Sequence, residues 1–104
     1  MNTHDQENIL LALFSGRKWG REISLAIETE VGKRPARGWL YTTLDRLEKA
    51  GLVRSEREEQ GQPGGGAPRV YYALTGEGEG WLRRREDERR RLSGGLSGLV
   101  GGAL

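Results

Sequence analysis

The 104-residue chain contains no cysteine. Disulfides, cysteine-ligated zinc and cysteine nucleophiles are therefore excluded, and the composition fits a reducing compartment. The one histidine, His4, lies close to the first residue, so imidazole acid–base or metal chemistry has almost nothing to work with. No apolar run approaches the roughly twenty residues that cross a bilayer, and nothing resembles a signal peptide. A soluble, cytoplasmic protein is expected. A Ser/His/Asp set is missing, and the glycine run Gly64–Gly66 lacks the Gly-Lys-Ser/Thr ending of a phosphate loop. Neither an enzyme nor a cofactor is expected.

Apolar residues make up only 35% of the chain, charged residues 31%, and glycines number 17. These values imply one small core, much charged surface and some irregular segments. The net charge is only +2, with the basic residues mostly arginine. That is a mild pointer to an anionic partner, and a solvated charged surface explains it equally well.

Aliphatic spacing sets the elements. Ile9, Leu10, Leu13 and Phe14 form a helical stripe within residues 5–15, with Asp5 as its N-cap. Trp19, Ile23, Ala26 and Ile27 form a second stripe within residues 19–31, ended by Gly32 and Pro35. A third helix starts near Ala36 or Arg37 and ends at Gly51, a residue suited to a left-handed cap. Leu52–Glu58 is strand-like. In residues 69–74, Val70, Tyr72 and Leu74 alternate with Arg69 and Tyr71. The Gly/Pro-rich stretch 61–68 between them makes a hairpin with a long tip. Thr75 is a plausible N-cap for a fourth helix reaching Leu92, whose Arg83–Arg91 run places opposite charges three and four apart. The glycine-rich residues 93–104 are expected to be a flexible tail.

Three helices followed by a hairpin is the order of a winged helix-turn-helix, in which the third helix reads DNA and the hairpin is the wing. The expected fold class is mainly α with a small β-hairpin. A DNA-binding domain spans residues 5–75, and a C-terminal helix spans residues 76–92. Gly38-x-Leu40-Tyr41-x-x-Leu44-x-Arg46-Leu47-Glu48-x-x-Gly51-Leu52-Val53, followed by Arg69-Val70-Tyr71-Tyr72-Ala73-Leu74-Thr75, resembles the signature of the PadR family of bacterial transcriptional regulators. The resemblance covers roughly residues 8–92. It implies a dimeric repressor of a promoter palindrome, with the last helix used for dimerisation. It also allows a small aromatic effector, for which Trp81 is the candidate, although packing accounts for that residue too. The chain departs from the family pattern at Arg37 and Trp39, where serine or proline and threonine are commoner, and in the loose wing tip.

On a 100° helical step, Leu44, Leu47 and Gly51 fall within about 40° of Leu40. Gly38, Trp39, Thr42, Asp45, Arg46 and Lys49 fall opposite, the side that would enter a major groove. Gly38 admits close backbone approach. Thr42 and Thr43 suit phosphate or a thymine methyl, Arg46 suits guanine or phosphate, and Lys49 suits phosphate. The DNA-binding candidates are therefore Arg37, Gly38, Trp39, Tyr41, Thr42, Thr43, Arg46, Lys49 and, on the wing, Arg69. Arg57 is a second wing candidate, and Arg17, Lys18 and Arg21 are phosphate candidates at the start of helix two. Each has a plainer reading: Trp39 packs against Trp19 or Pro35, Tyr41 is a core edge, and Lys49 and Arg69 are solvated charges. The competing function is a winged-helix protein-interaction module without DNA binding, anchored by an exposed Trp39.

Overall fold

The computed structural model describes residues 3–61 and 63–102. Helices α1 (Thr3–Phe14), α2 (Gly20–Val31) and α3 (Arg37–Lys49) are followed by strands β2 (Val53–Arg57) and β3 (Val70–Leu74) and by helix α4 (Gly76–Gly102). A two-residue strand β1 (Lys18–Trp19) sits between α1 and α2. The three strands form one antiparallel sheet of order β1-β3-β2.

The expected aliphatic stripes make the core. Ile9, Leu10 and Leu13 from α1 meet Ile23 and Ile27 from α2 and Leu40, Leu44 and Leu47 from α3. Val53 and Leu82 close the cluster from the wing and from α4. Full burial of one such side chain is worth about 1.5–3 kcal/mol. Phe14 departs from the expected stripe and is 66% exposed, because α1 ends there and Gly16 turns the chain away with φ 141°.

Helix ends follow local chemistry. Gly32 (φ 84°) and Gly51 (φ 81°) take left-handed conformations that L side chains adopt only with strain. At the second of these, Leu52 N–H donates to the Leu47 carbonyl at 2.9 Å. Asp5 lies inside the first turn of α1 rather than at its cap, where its charge suits the helix dipole.

Thr75 ties three elements together. Its hydroxyl donates to the Gly51 carbonyl at 2.5 Å and accepts from Gly78 N–H at 3.0 Å, while its own N–H donates to the Leu52 carbonyl at 3.1 Å. It is the N-cap that the sequence suggests. Gly78 must lack a side chain, because a Cβ there would collide with the Leu52 carbonyl.

Two expectations change. The sheet has three strands rather than a two-stranded hairpin. Lys18 and Trp19 pair with Tyr72 and Tyr71 of β3, and two residues are too few to show an alternating pattern. Helix α4 also runs past Leu92 to Gly102. No proline follows Pro68, and glycine weakens a helix by about 1 kcal/mol per residue without forbidding it. Residues 103 and 104 of the expected tail lie outside the described residues. No helix among the described residues is long and apolar enough to cross a membrane.

α4 is fastened to α1 by a buried charge. Glu7 is 3% exposed; its Oε2 accepts from Arg85 Nε at 3.0 Å and its Oε1 from Arg89 Nη2. Burial pushes the carboxyl up, but the hydrogen bonds and positive charges of Arg89 and Arg85 outweigh it and hold the group below its ordinary value of 4.5. A carboxyl with a depressed folded-state pKa stabilises fully above its unfolded value and loses that contribution as pH falls through the folded value. Glu7→Gln should therefore destabilise the protein at pH 7 by about 1–2 kcal/mol, discounted because both arginines are partly exposed. It should also flatten the loss of stability below pH 4.5. Urea unfolding of both forms from pH 7 to pH 3 checks this, and equal acid sensitivity would rule the clamp out.

Candidate nucleic-acid interface

Helix α3 is held by its buried stripe and by one carboxylate. Glu48 Oε2 accepts from the Ser55 N–H at 3.1 Å and from the Ser55 hydroxyl at 2.6 Å, which bonds the helix to β2 of the wing. Tyr72 of β3 packs against the same core, its phenol pushed up first by burial and then by Tyr41, Glu48 and Asp45 nearby. The side of α3 left to solvent carries Arg37, Gly38, Tyr41, Thr42, Asp45, Arg46 and Lys49.

These residues differ in what they have already engaged. The side chains of Arg46 and Thr42 are exposed and make no hydrogen bond, ion pair or ring contact among the described residues. Gly38 is open as well: its φ is not positive, and a Cβ there would meet nothing within 4 Å. The fold does not require glycine at that position, so its value lies in what can approach from outside. Lys49 Nζ pairs with Asp45 at 2.9 Å, so the acid on this face is neutralised by its own helix. Arg37 lies over the Tyr41 ring at 5.7 Å, and Tyr41 is 39% exposed.

Two candidates are placed otherwise than expected. Thr43 is buried, 2% exposed, and its hydroxyl donates to the Trp39 carbonyl at 2.7 Å. Bonding back into its own helix, it does not face a ligand. Trp39 is half-buried and packs against the core cluster, which includes neither Trp19 nor Pro35, the partners that its plainer reading named.

The wing cations are partly engaged. Arg69 lies over the Trp19 ring at 4.2 Å and Arg17 over the Tyr71 ring at 4.5 Å, so both guanidinium groups are engaged by aromatic residues of the sheet. Glu56 takes Arg17 at 3.2 Å and Arg54 at 3.4 Å. Lys18 donates to the Ser15 hydroxyl at 2.8 Å. Arg21 and Arg57 are exposed and have no partner among the described residues. The Arg83–Arg91 run is laced by pairs such as Arg83–Glu79 and Arg90–Glu86, in keeping with a solvated helix. Trp81 is half-buried against the core, with Arg85 over its ring at 5.7 Å.

The sequence reading missed the partnership between Gly20 and Tyr41. The Tyr41 hydroxyl occupies the space that a Cβ on Gly20 would need. The glycine at the start of α2 thus fixes the tyrosine on α3.

Comparison with known proteins finds a match over residues 9–84 to the Transcriptional regulator PadR-like family. No curated protein matches the chain. Among solved structures, a PadR-like transcription factor from Bacteroides fragilis is 29% identical, with a TM-score of 0.78, covering 92% of this chain and 89% of that one. A PadR family transcription regulator from Clostridium difficile R20291 is 27% identical, with a TM-score of 0.73, covering 91% and 96%. Bacillus subtilis PadR, solved in complex with operator DNA, shares the fold at 23% identity and a TM-score of 0.67, covering 78% of this chain and 45% of that one.

Gly20→Ala should cost about 1–3 kcal/mol by forcing Tyr41 aside. In a Tyr41→Ala background the same substitution should cost nothing. Urea unfolding of the four variants measures the coupling; an equal penalty in both backgrounds would mean that the two residues do not compete for space.

Proposed function

Because this chain belongs to the PadR-like family of transcriptional regulators, we propose that it binds promoter DNA sequence-specifically and represses as a homodimer by covering its site. The observation that carries the reading is the exposed face of α3. Gly38, Thr42 and Arg46 stand clear of the fold on a helix whose other side is locked into the core. A solvent-facing guanidinium with no intramolecular partner is suited to paired hydrogen bonds with guanine or to a phosphate. That Bacillus subtilis PadR is solved with operator DNA supports the same use of the fold here.

Within this reading, Arg46 and Thr42 contact base edges and Gly38 admits the sugar–phosphate backbone. Lys49 exchanges Asp45 for a phosphate, and Arg57 and Arg69 lie along the wing side of the duplex. Two copies joined through α4 would set two α3 helices on half-sites roughly 34 Å apart. The length of α4 supports that role: it gives the molecule a long axis of 61 Å against 27 and 23 Å, with Leu92 87% exposed. The protein-interaction alternative relied on an exposed Trp39, and its half-buried position weakens that anchor.

Selection from random duplexes should enrich a palindrome with wild type. Arg46→Ala should lose about 1–3 kcal/mol and relax specificity at one position of each half-site. Enrichment of no duplex at low salt would reject the reading. Sedimentation should show a dimer at micromolar concentration, and a monomer there would remove the homodimer from it.

A further inference from the structure

We propose that the cleft between α1 and α2 binds a small aliphatic monocarboxylate, with the carboxylate on Lys18 and the alkyl chain along the groove. This goes beyond the DNA-binding reading and does not rest on it. The cleft encloses about 530 Å³, and its apolar walls are Leu11 and Ala12 of α1 and Ala26, Ile27 and Val31 of α2. Leu11 and Val31 are left 49% and 56% exposed, so the groove holds apolar surface in water that an alkyl chain would cover. No lining residue is aromatic, so the walls favour a flexible aliphatic body over a flat ring. That sets the cleft apart from Trp81, the candidate for an aromatic effector.

The charged groups of the cleft are few and stand at opposite ends. Lys18 is the only cation in its lining and is half-buried. Its Nζ donates to the Ser15 hydroxyl at 2.8 Å, and no carboxylate pairs with it among the described residues. An ammonium has three donors, so two remain for an incoming carboxylate while Ser15 holds the group in place. Glu30, the only acid in the lining, lies in the last turn of α2, whereas Lys18 precedes that helix. From Gly20 to Glu30 the helix rises about 15 Å. One carboxylate is therefore attracted at Lys18, and a second acid at the far end is repelled by Glu30. On α1, Asn8 lies about 10.5 Å before Ser15 along the axis and lines the cleft with a neutral amide that has no partner among the described residues.

The cleft meets the wing at Lys18. That residue opens β1 and pairs with Tyr72 of β3, while Trp19 pairs with Tyr71 and leads directly into α2. A strand of two residues has little else to hold it in the sheet. A carboxylate fixed on Lys18 therefore bears on the pairing of β1 with β3, and its arrival should be felt at Tyr71 and Tyr72 as well as in the groove.

The test titrates the full chain, without DNA, with octanoate at neutral pH and follows the backbone amide signals. Saturable shifts at Ala12, Lys18, Ala26, Val31 and Tyr72 are expected, with a Kd of about a millimolar. Octanol should bind more weakly because it lacks the charge, and octanedioate because its second carboxylate meets Glu30. From hexanoate to octanoate each methylene should tighten binding about twofold, half the free energy of full burial, which would give about fourfold. Lys18→Met should weaken octanoate roughly tenfold, and Lys18→Arg should keep it. Val31→Glu, at an exposed position outside the core cluster, should abolish binding by placing a charge in the apolar wall. Equal affinity for octanoate and octanol, or undiminished binding to Lys18→Met, would overturn the proposal. Shifts confined to Trp81 and Leu82 would put the ligand between α1 and α4 and overturn it as well. So would no shift at all. If Val31→Glu then turned a wild-type dimer into a monomer in sedimentation, a second copy of the chain would be what covers the groove.

Discussion

The rotation of α3 about its own axis is the constraint on which the rest depends. Leu40, Leu44 and Leu47 are each at most 1% exposed and share one core cluster with side chains from α1 and α2. Turning the helix by one residue, about 100°, would expose the stripe and bury charges in its place. With the rotation fixed, the outward positions are fixed too. Glu48 then anchors the wing to α3 through Ser55, and Thr75 anchors the base of α4 to the end of α3. The face offered to a ligand follows from what the opposite face must bury.

Much of this was legible in the sequence because it depends on local spacing. Three-and-four aliphatic spacing located the helices, the left-handed glycine at Gly51 located the end of α3, and Thr75 marked the start of α4. Thr43 carried a readable warning. On the same wheel it lies about 60° from Leu40, well inside the buried arc, and its type suggested a phosphate contact only when its angle was neglected. Strand β1 had no such signal: it exists because β3 offers it a partner, a property of tertiary contact. Glu7 was half legible. It sits three residues before Leu10 on a buried stripe, where a lone acid needs partners, and Arg85 and Arg89 are spaced one turn apart to supply them. Spacing alone does not say that α4 returns to lie against α1.

The modest net charge of +2 gives little idea of how the cations are distributed. Many arginines are engaged inside the molecule, on Glu7, on Glu56, within α4 or over aromatic rings. Those without a side-chain partner among the described residues are fewer: Arg21 on α2, Arg46 on α3, Arg57 on β2, and Arg84 and Arg91 on α4.

The junction at Thr75 and Gly78 has a mechanical consequence. Gly78 presses against the Leu52 carbonyl with no side chain between them, so the base of α4 moves with the end of α3 and the root of the wing. A helix of 27 residues is a lever about 40 Å long. A tilt of about 5° at its base swings the far end by about 3.5 Å, several times the tolerance of a hydrogen bond. If two copies join along their α4 helices, the stiffness of this pivot fixes the pitch at which their reading heads meet a double helix. A substitution there would retune that pitch without touching any atom that faces DNA.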